Sequence, residues 1–147
     1  INVPVRRLKQ KAAAGVDFIQ TQLIFDVPGF RRFMELVGEE KVHEDVFILA
    51  GVPVVTSPGG LAVLPRIPGV NLPASILSRL QQAKDIEAEG VALATEIANE
   101  LSRIPGVAGV HLMLFGPDHA VLPPIVDGLQ APRKGSTEAE LCALNKG

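Results

Sequence analysis

Three continuous apolar runs restrict the possible folds of this chain more than any other feature: DFIQTQLIF (17–25), VFILAGVPVV (46–55) and GVAGVHLMLFG (106–116). Each has strand length and is weighted toward aliphatic and aromatic residues, and helix-like segments separate them. A strand that is apolar along its length needs cover on both faces. That is the condition of a parallel sheet flanked by helices. The helical segments are PVRRLKQKAAA (4–14), ended by Gly15, VPGFRRFMELVG (27–38), ASILSRLQQA (74–83) after Pro73, and residues 85–104. In the last of these, Ile86, Gly90, Ala94, Ile97, Leu101 and Ile104 recur as one stripe. A broken helix is expected over 119–129. Pro65 and Pro68 leave room for only a short turn and a loop in LAVLPRIPGVNLP. The polar stretch EEKVHED (39–45) and the cluster TSPGG (56–60) read as connectors. The order predicts one α/β domain over residues 1–147, with a loosely held tail at 132–147.

Three strands make a poor complete α/β layer. Sheets average about five strands, and an eight-stranded α/β barrel takes about 250 residues. This chain has 147, begins with Ile and runs almost at once into a helix. It is therefore expected to be a piece of something larger.

Composition removes several function classes. Fourteen basic against sixteen acidic residues give a net charge of -2, so no basic excess calls for nucleic acid. Six Phe with no Trp or Tyr offer little base-stacking surface. No apolar run approaches the ~18 residues of a membrane helix. Cys142 is the single cysteine, which excludes an internal disulfide framework and points to an intracellular, cytoplasmic setting. No His/Asp/Glu set has metal-ligand spacing.

Within the first strand, Gln20, Thr21 and Gln22 interrupt the apolar run. Burying a carboxamide without partners costs about 1–3 kcal/mol, so something must satisfy it. Ligand sites of parallel α/β folds lie beyond the carboxyl ends of the strands, where Thr21, Gln22, Asp26, Thr56 and Ser57 gather. Gln20 and Gln22 share one strand face. A carboxamide offers one acceptor and two hydrogens, which suits the lactam or amidine edge of a heterocycle. The competing explanation is that these groups satisfy loop backbone at the sheet rim. His111, inside an apolar strand, is expected to be a hydrogen-bonded core residue, while His43 and His119 are expected to be solvated. TSPGG has the composition of a phosphate cradle, but S-P-G-G is also ordinary turn chemistry. Arg6, Arg7, Lys9 and Lys11 form the other candidate anion site, against a solvated helix face.

RLKQKAAAGVDFIQTQLIFDV resembles the segment L-K-x-K-x-x-A-G-A-x-F-x-x-T-Q-x-x-[FY]-D of the methylenetetrahydrofolate reductases. LAGVPVV, GVNLP and GVAGVHLMLFG resemble later blocks of that family in the same order, so the likeness covers residues 5–128. The last strand and the SPGG–LPRIPGV loop are most similar to the short reductases of anaerobes and archaea. The resemblance implies a (β/α)8 barrel with FAD at the carboxyl ends of its strands. This chain would then supply strands six to eight, without the first five. It also implies reduction of 5,10-methylenetetrahydrofolate to 5-methyltetrahydrofolate, with FAD reduced by NADH or NADPH. Folate is then the substrate partner, and a homo-oligomer or the missing N-terminal half of the barrel is the expected protein partner.

Residue by residue, Gln22 matches the glutamine that hydrogen-bonds the pterin of the folate. Lys11 matches a basic residue that contacts the adenosine-diphosphate portion of FAD, and Arg7 and Gln10 fall at neighbouring FAD-contacting positions. The enteric enzymes carry Asn and Arg at those two positions. Gly60 and Leu64 stand where they carry glutamine and phenylalanine, and Pro117 falls near an arginine thought to meet the folate. The family's acid and its flavin-proximal aspartate lie on strands one and four, so no catalytic residue is expected in this chain, which by itself is expected to be inactive. The alternatives are a pterin-dependent methyltransferase-like barrel that binds folate without flavin, and a non-catalytic truncated paralogue acting as an interaction subunit.

Overall fold

Side-chain caps decide where several helices begin. Asp26 accepts the Gly29 amide at 3.0 Å, Ser57 accepts that of Gly60 at 3.0 Å, and Asp85 accepts that of Ala88 at 3.1 Å. In the computed structural model, which describes residues 3–129, these caps open three of the helices in an alternating chain. The order is α1 (Val3–Ala13), β1 (Phe18–Leu23), α2 (Val27–Glu39), α3 (Val42–Asp45), β2 (Phe47–Val55) and α4 (Pro58–Val63). There follow a 3-10 turn (Leu64–Arg66), α5 (Ala74–Gln81), α6 (Ile86–Ser102), β3 (Val107–Phe115), a second 3-10 turn (His119–Val121) and α7 (Leu122–Asp127). The strands form one sheet in the order β1-β2-β3, parallel at both junctions. The expected tail at 132–147, with Cys142, lies outside the described residues.

One face of β2 is sealed. Ile48, Ala50, Val52 and Val54 are at most 1% exposed, and α6 packs here through Leu93, Ala94, Ile97, Ala98 and Leu101, all buried. The apolar stripe is wider than expected by Leu93 and Ala98, while Ile86 is only half-buried. Gly90 lets the helix backbone come down onto the end of the strand, because a Cβ there would sit 1.7 Å from the Val55 carbonyl oxygen. The other face of the sheet is open at its amino end, where Phe18 and Phe47 pair in register and are 55% and 66% exposed. Toward the carboxyl end, Pro53 and Val55 of that same face are buried.

Three connectors differ from the expectation. EEKVHED contains α3, because Val42 is buried against the core at 2% exposure and anchors an otherwise polar segment. Gly38 does not stop α2. The chain turns instead at Lys41, in the left-handed region at φ 55°. TSPGG opens a helix, with Ser57 as cap and Pro58 in the first turn, where its missing amide costs nothing.

Candidate functional site

The parallel register brings the carboxyl ends of the strands to one edge. Leu23 stands opposite Gly51, and Val54 opposite Leu114, so Gln22, Pro53 and Leu114 lie toward that common edge. The question raised by the polar trio is answered at a break in the ladder. Between Gln20 and Leu23 the register with β2 shifts. At the break, the Thr21 hydroxyl accepts the Gly51 amide at 2.9 Å and donates to the Gln22 carbonyl at 2.9 Å. Gly51 permits the close approach of the two strands, since a Cβ on it would fall 2.8 Å from the Gln22 carbonyl oxygen. Thr21 is therefore structural.

Gln22 is exposed at the rim. Its Oε1 accepts the Leu23 amide at 3.1 Å, and its Nε2 donates to the Pro68 carbonyl at 3.4 Å. These contacts are the rim-backbone bonds of the competing explanation, yet they do not saturate the amide. One Nε2 hydrogen and one Oε1 lone pair are left over, which is the pair a heterocycle edge needs.

Other polar groups at this edge have local duties. Asp26 and Asp118 cap the segments that follow them. The phosphate reading of TSPGG finds no support: the Ser57 hydroxyl already takes the Gly60 amide. Gly60 is needed for packing, because a Cβ there would lie 2.1 Å from the Phe115 carbonyl oxygen. Leu64 is fully buried. Gly60 and Leu64 thus both serve the packing of the core here.

Two expectations about histidine are corrected. His111 lies opposite Gly51, and its Nδ1 is buried with no hydrogen-bond partner, so it is not a satisfied core residue. His43 is not solvated: its ring packs over Gly106 and its Nδ1 is likewise buried without a partner. Thr56, 5% exposed, is the third such group, its hydroxyl against Gly116. The sequence places Thr56 at the carboxyl edge but does not show its burial, because nothing in T-S-P-G-G distinguishes a buried threonine from a turn residue. His119 is exposed, as expected.

On α1, Arg7, Gln10 and Lys11 are exposed and share one side at spacings of three and four residues. Among the described residues neither Arg7 nor Lys11 has an ion-pair partner. Lys9 does, at 2.6 Å from Glu40, whose carboxyl it holds below the usual range through that hydrogen bond. Lys11 lies in the last turn, one turn before the Gly15 bend into the amino end of β1. The structure therefore sets Lys11 toward the edge opposite Gln22, with Arg7 one turn nearer. Among the described residues no three His, Cys, Asp or Glu converge on a metal position, and no helix is long and apolar enough to cross a membrane.

A relative in Schizosaccharomyces pombe (strain 972 / ATCC 24843), methylenetetrahydrofolate reductase 2, is 30% identical over 79 residues. That stretch takes in 52% of this chain and 12% of the yeast protein, so the chain spans a small part of the relative it matches. The sequence model of the methylenetetrahydrofolate reductases matches residues 1–127. With a family match over that much of its length, the chain belongs to the methylenetetrahydrofolate reductase family.

Proposed function

We propose that this chain forms strands six to eight of a (β/α)8 barrel whose complete form reduces 5,10-methylenetetrahydrofolate to 5-methyltetrahydrofolate with FAD and NADH or NADPH. Family membership supports a folate reductase, and the parallel three-stranded sheet is compatible with one arc of such a barrel. The observation that carries the reading is Gln22: an exposed carboxamide at the carboxyl edge, half satisfied by Leu23 and Pro68, with a donor and an acceptor to spare. In this reading it pairs with the pterin edge, and Thr21 fixes the strand beneath it.

By donor type the set on α1 suits the diphosphate of FAD, with Arg7 nearer the carboxyl edge and Lys11 farther from it. Arg7 and Lys11 are cations without ion-pair partners among the described residues, with the Gln10 amide beside them, and charge-assisted bonds to phosphate oxygens are the strong ones. FAD, when bound, supplies the hydride chemistry. The residues of this chain orient: Gln22 holds the pterin, while Arg7, Gln10 and Lys11 hold the distal part of the cofactor. Bound FAD distinguishes this function from a flavin-free pterin methyltransferase.

The test uses the complete protein. Gln22→Ala is expected to slow the folate half-reaction and to spare reduction of FAD by the nicotinamide, because the two half-reactions use different contacts. Stopped-flow absorbance of each half-reaction decides. Equal loss in both would mean that Gln22 supports the barrel rather than reading the pterin.

A further inference from the structure

At the amino-terminal end of the sheet, opposite the Gln22 edge, a cavity of about 300 Å³ opens between α2, α3 and the segment leading into β3. Its walls all come from the described chain. Met34 and Ile104, 2% and 3% exposed, form an apolar floor, and Pro105 continues it. Arg31, Glu35 and His43 supply the polar lining. The reductase reading uses none of them.

Two features give this lining a specific chemistry. Arg31 and Glu35 lie one turn apart on α2, a spacing at which opposite charges commonly pair. Neither forms an ion pair among the described residues, and both line the cavity. His43 adds a buried Nδ1 without a partner. Its ring is wedged over Gly106, where a Cβ would come within 3.3 Å of the ring and 3.0 Å of the Met34 methyl. Lys41, with a φ of 55°, sets the left-handed turn that leads into α3 and so to His43.

We propose that this cavity binds a free α-amino acid with an apolar side chain. Its carboxylate meets Arg31, its ammonium meets Glu35, and its side chain covers Met34 and Ile104. The His43 ring closes the inner wall beside Met34. A lone carboxylate would face the uncompensated charge of Glu35, and a lone amine that of Arg31, so the dipolar head is the chemistry that satisfies both. The volume lies at the lower end of small-ligand pockets and matches a ligand of this size.

Calorimetric titration of the complete protein tests this with three probes: L-leucine, its deaminated analogue 4-methylpentanoate and its decarboxylated analogue 3-methylbutylamine. Leucine is expected to bind saturably, and each analogue about tenfold or more weakly. Glu35→Gln is expected to erase the preference for leucine over 4-methylpentanoate, and Arg31→Gln the preference over the amine. Both side chains are exposed, so unchanged melting temperatures will confirm that the variants fold. No saturable leucine binding up to about 20 mM, an analogue that equals leucine, or leucine binding untouched by both variants would each overturn the proposal.

Discussion

The Thr21 hydroxyl stands in for a backbone carbonyl toward the Gly51 amide, 2.9 Å away, where β1 and β2 slip out of register. Gly51 is buried, so without that hydroxyl its amide loses its acceptor. Thr21→Val keeps the shape and the strand propensity but removes the bond. It is expected to destabilise the complete protein by about 1–3 kcal/mol, the cost of an unsatisfied buried group. Thr21→Ser should lose much less. Urea unfolding of the two variants checks this, and a Val variant as stable as the parent, or a Ser variant that loses more than Val, would overturn the assignment.

Gly90 meets β2 through its missing side chain. A Cβ there would be 1.7 Å from the Val55 carbonyl, and backbone cannot yield as a flexible side chain can. Gly90→Ala is therefore expected to cost at least the ~1–3 kcal/mol typical of overpacking, despite the gain in helix propensity. Gly59→Ala is the control. Nothing lies within 4 Å of a Cβ at that position in α4, so the substitution is expected to be neutral or mildly stabilising. Thermal unfolding of the two variants should separate them clearly.

Arg79 ties α5 to α6 by bonding Glu89 and, in a two-pronged contact at 2.7 and 2.9 Å, Glu96. The Arg79 hydrogen bond holds the Glu96 carboxyl below the usual range, and the same partners raise Arg79. A carboxyl depressed in the folded state contributes stability above its unfolded value of 4.5 and loses it as pH falls through the folded value. The Glu96 side chain is 53% exposed, so solvent screening holds the contribution to about 1 kcal/mol or less. Glu96→Gln is expected to be less stable than the parent at neutral pH and to converge with it as pH drops below 4.5. Parallel stability curves down to acid would refute the assignment.

Much of the fold is legible in the sequence because its signals are redundant. The three apolar runs, the helix-end signals at Pro4, Gly15 and Pro73 and the stripe along α6 all point to a helix-covered parallel sheet. What escaped the reading depends on contacts distant in sequence. Val42 turns a polar stretch into α3 by entering the core, and no local period announces it. Thr56, His43 and His111 became notable only through burial without partners, which depends on what lies against them. Gln22 was legible as a polar residue at a strand end. Its half-satisfied state was not, because one partner is the Pro68 carbonyl, 46 residues along the chain.

On α1 the neighbouring lysines make different contacts, so variants of the two can separate a cofactor role from simple surface charge. Lys9 is committed to Glu40 at 2.6 Å in an exposed pair that solvent screens. Lys11 has no such partner among the described residues and shares its side of the helix with Arg7 and Gln10. If that side holds the diphosphate of FAD, Lys11→Ala removes a charge-assisted bond and is expected to weaken FAD binding by the complete protein about tenfold, or ~1.4 kcal/mol. Arg7→Ala should act in the same direction. Lys9→Ala should leave FAD affinity nearly unchanged, because the charge it removes is already paired. Fluorescence titration of the apoprotein with FAD at low and high salt checks all three. The Lys11 loss should shrink as salt screens the pair. Equal losses for Lys9 and Lys11 would identify this side of α1 as a solvated surface with no cofactor role.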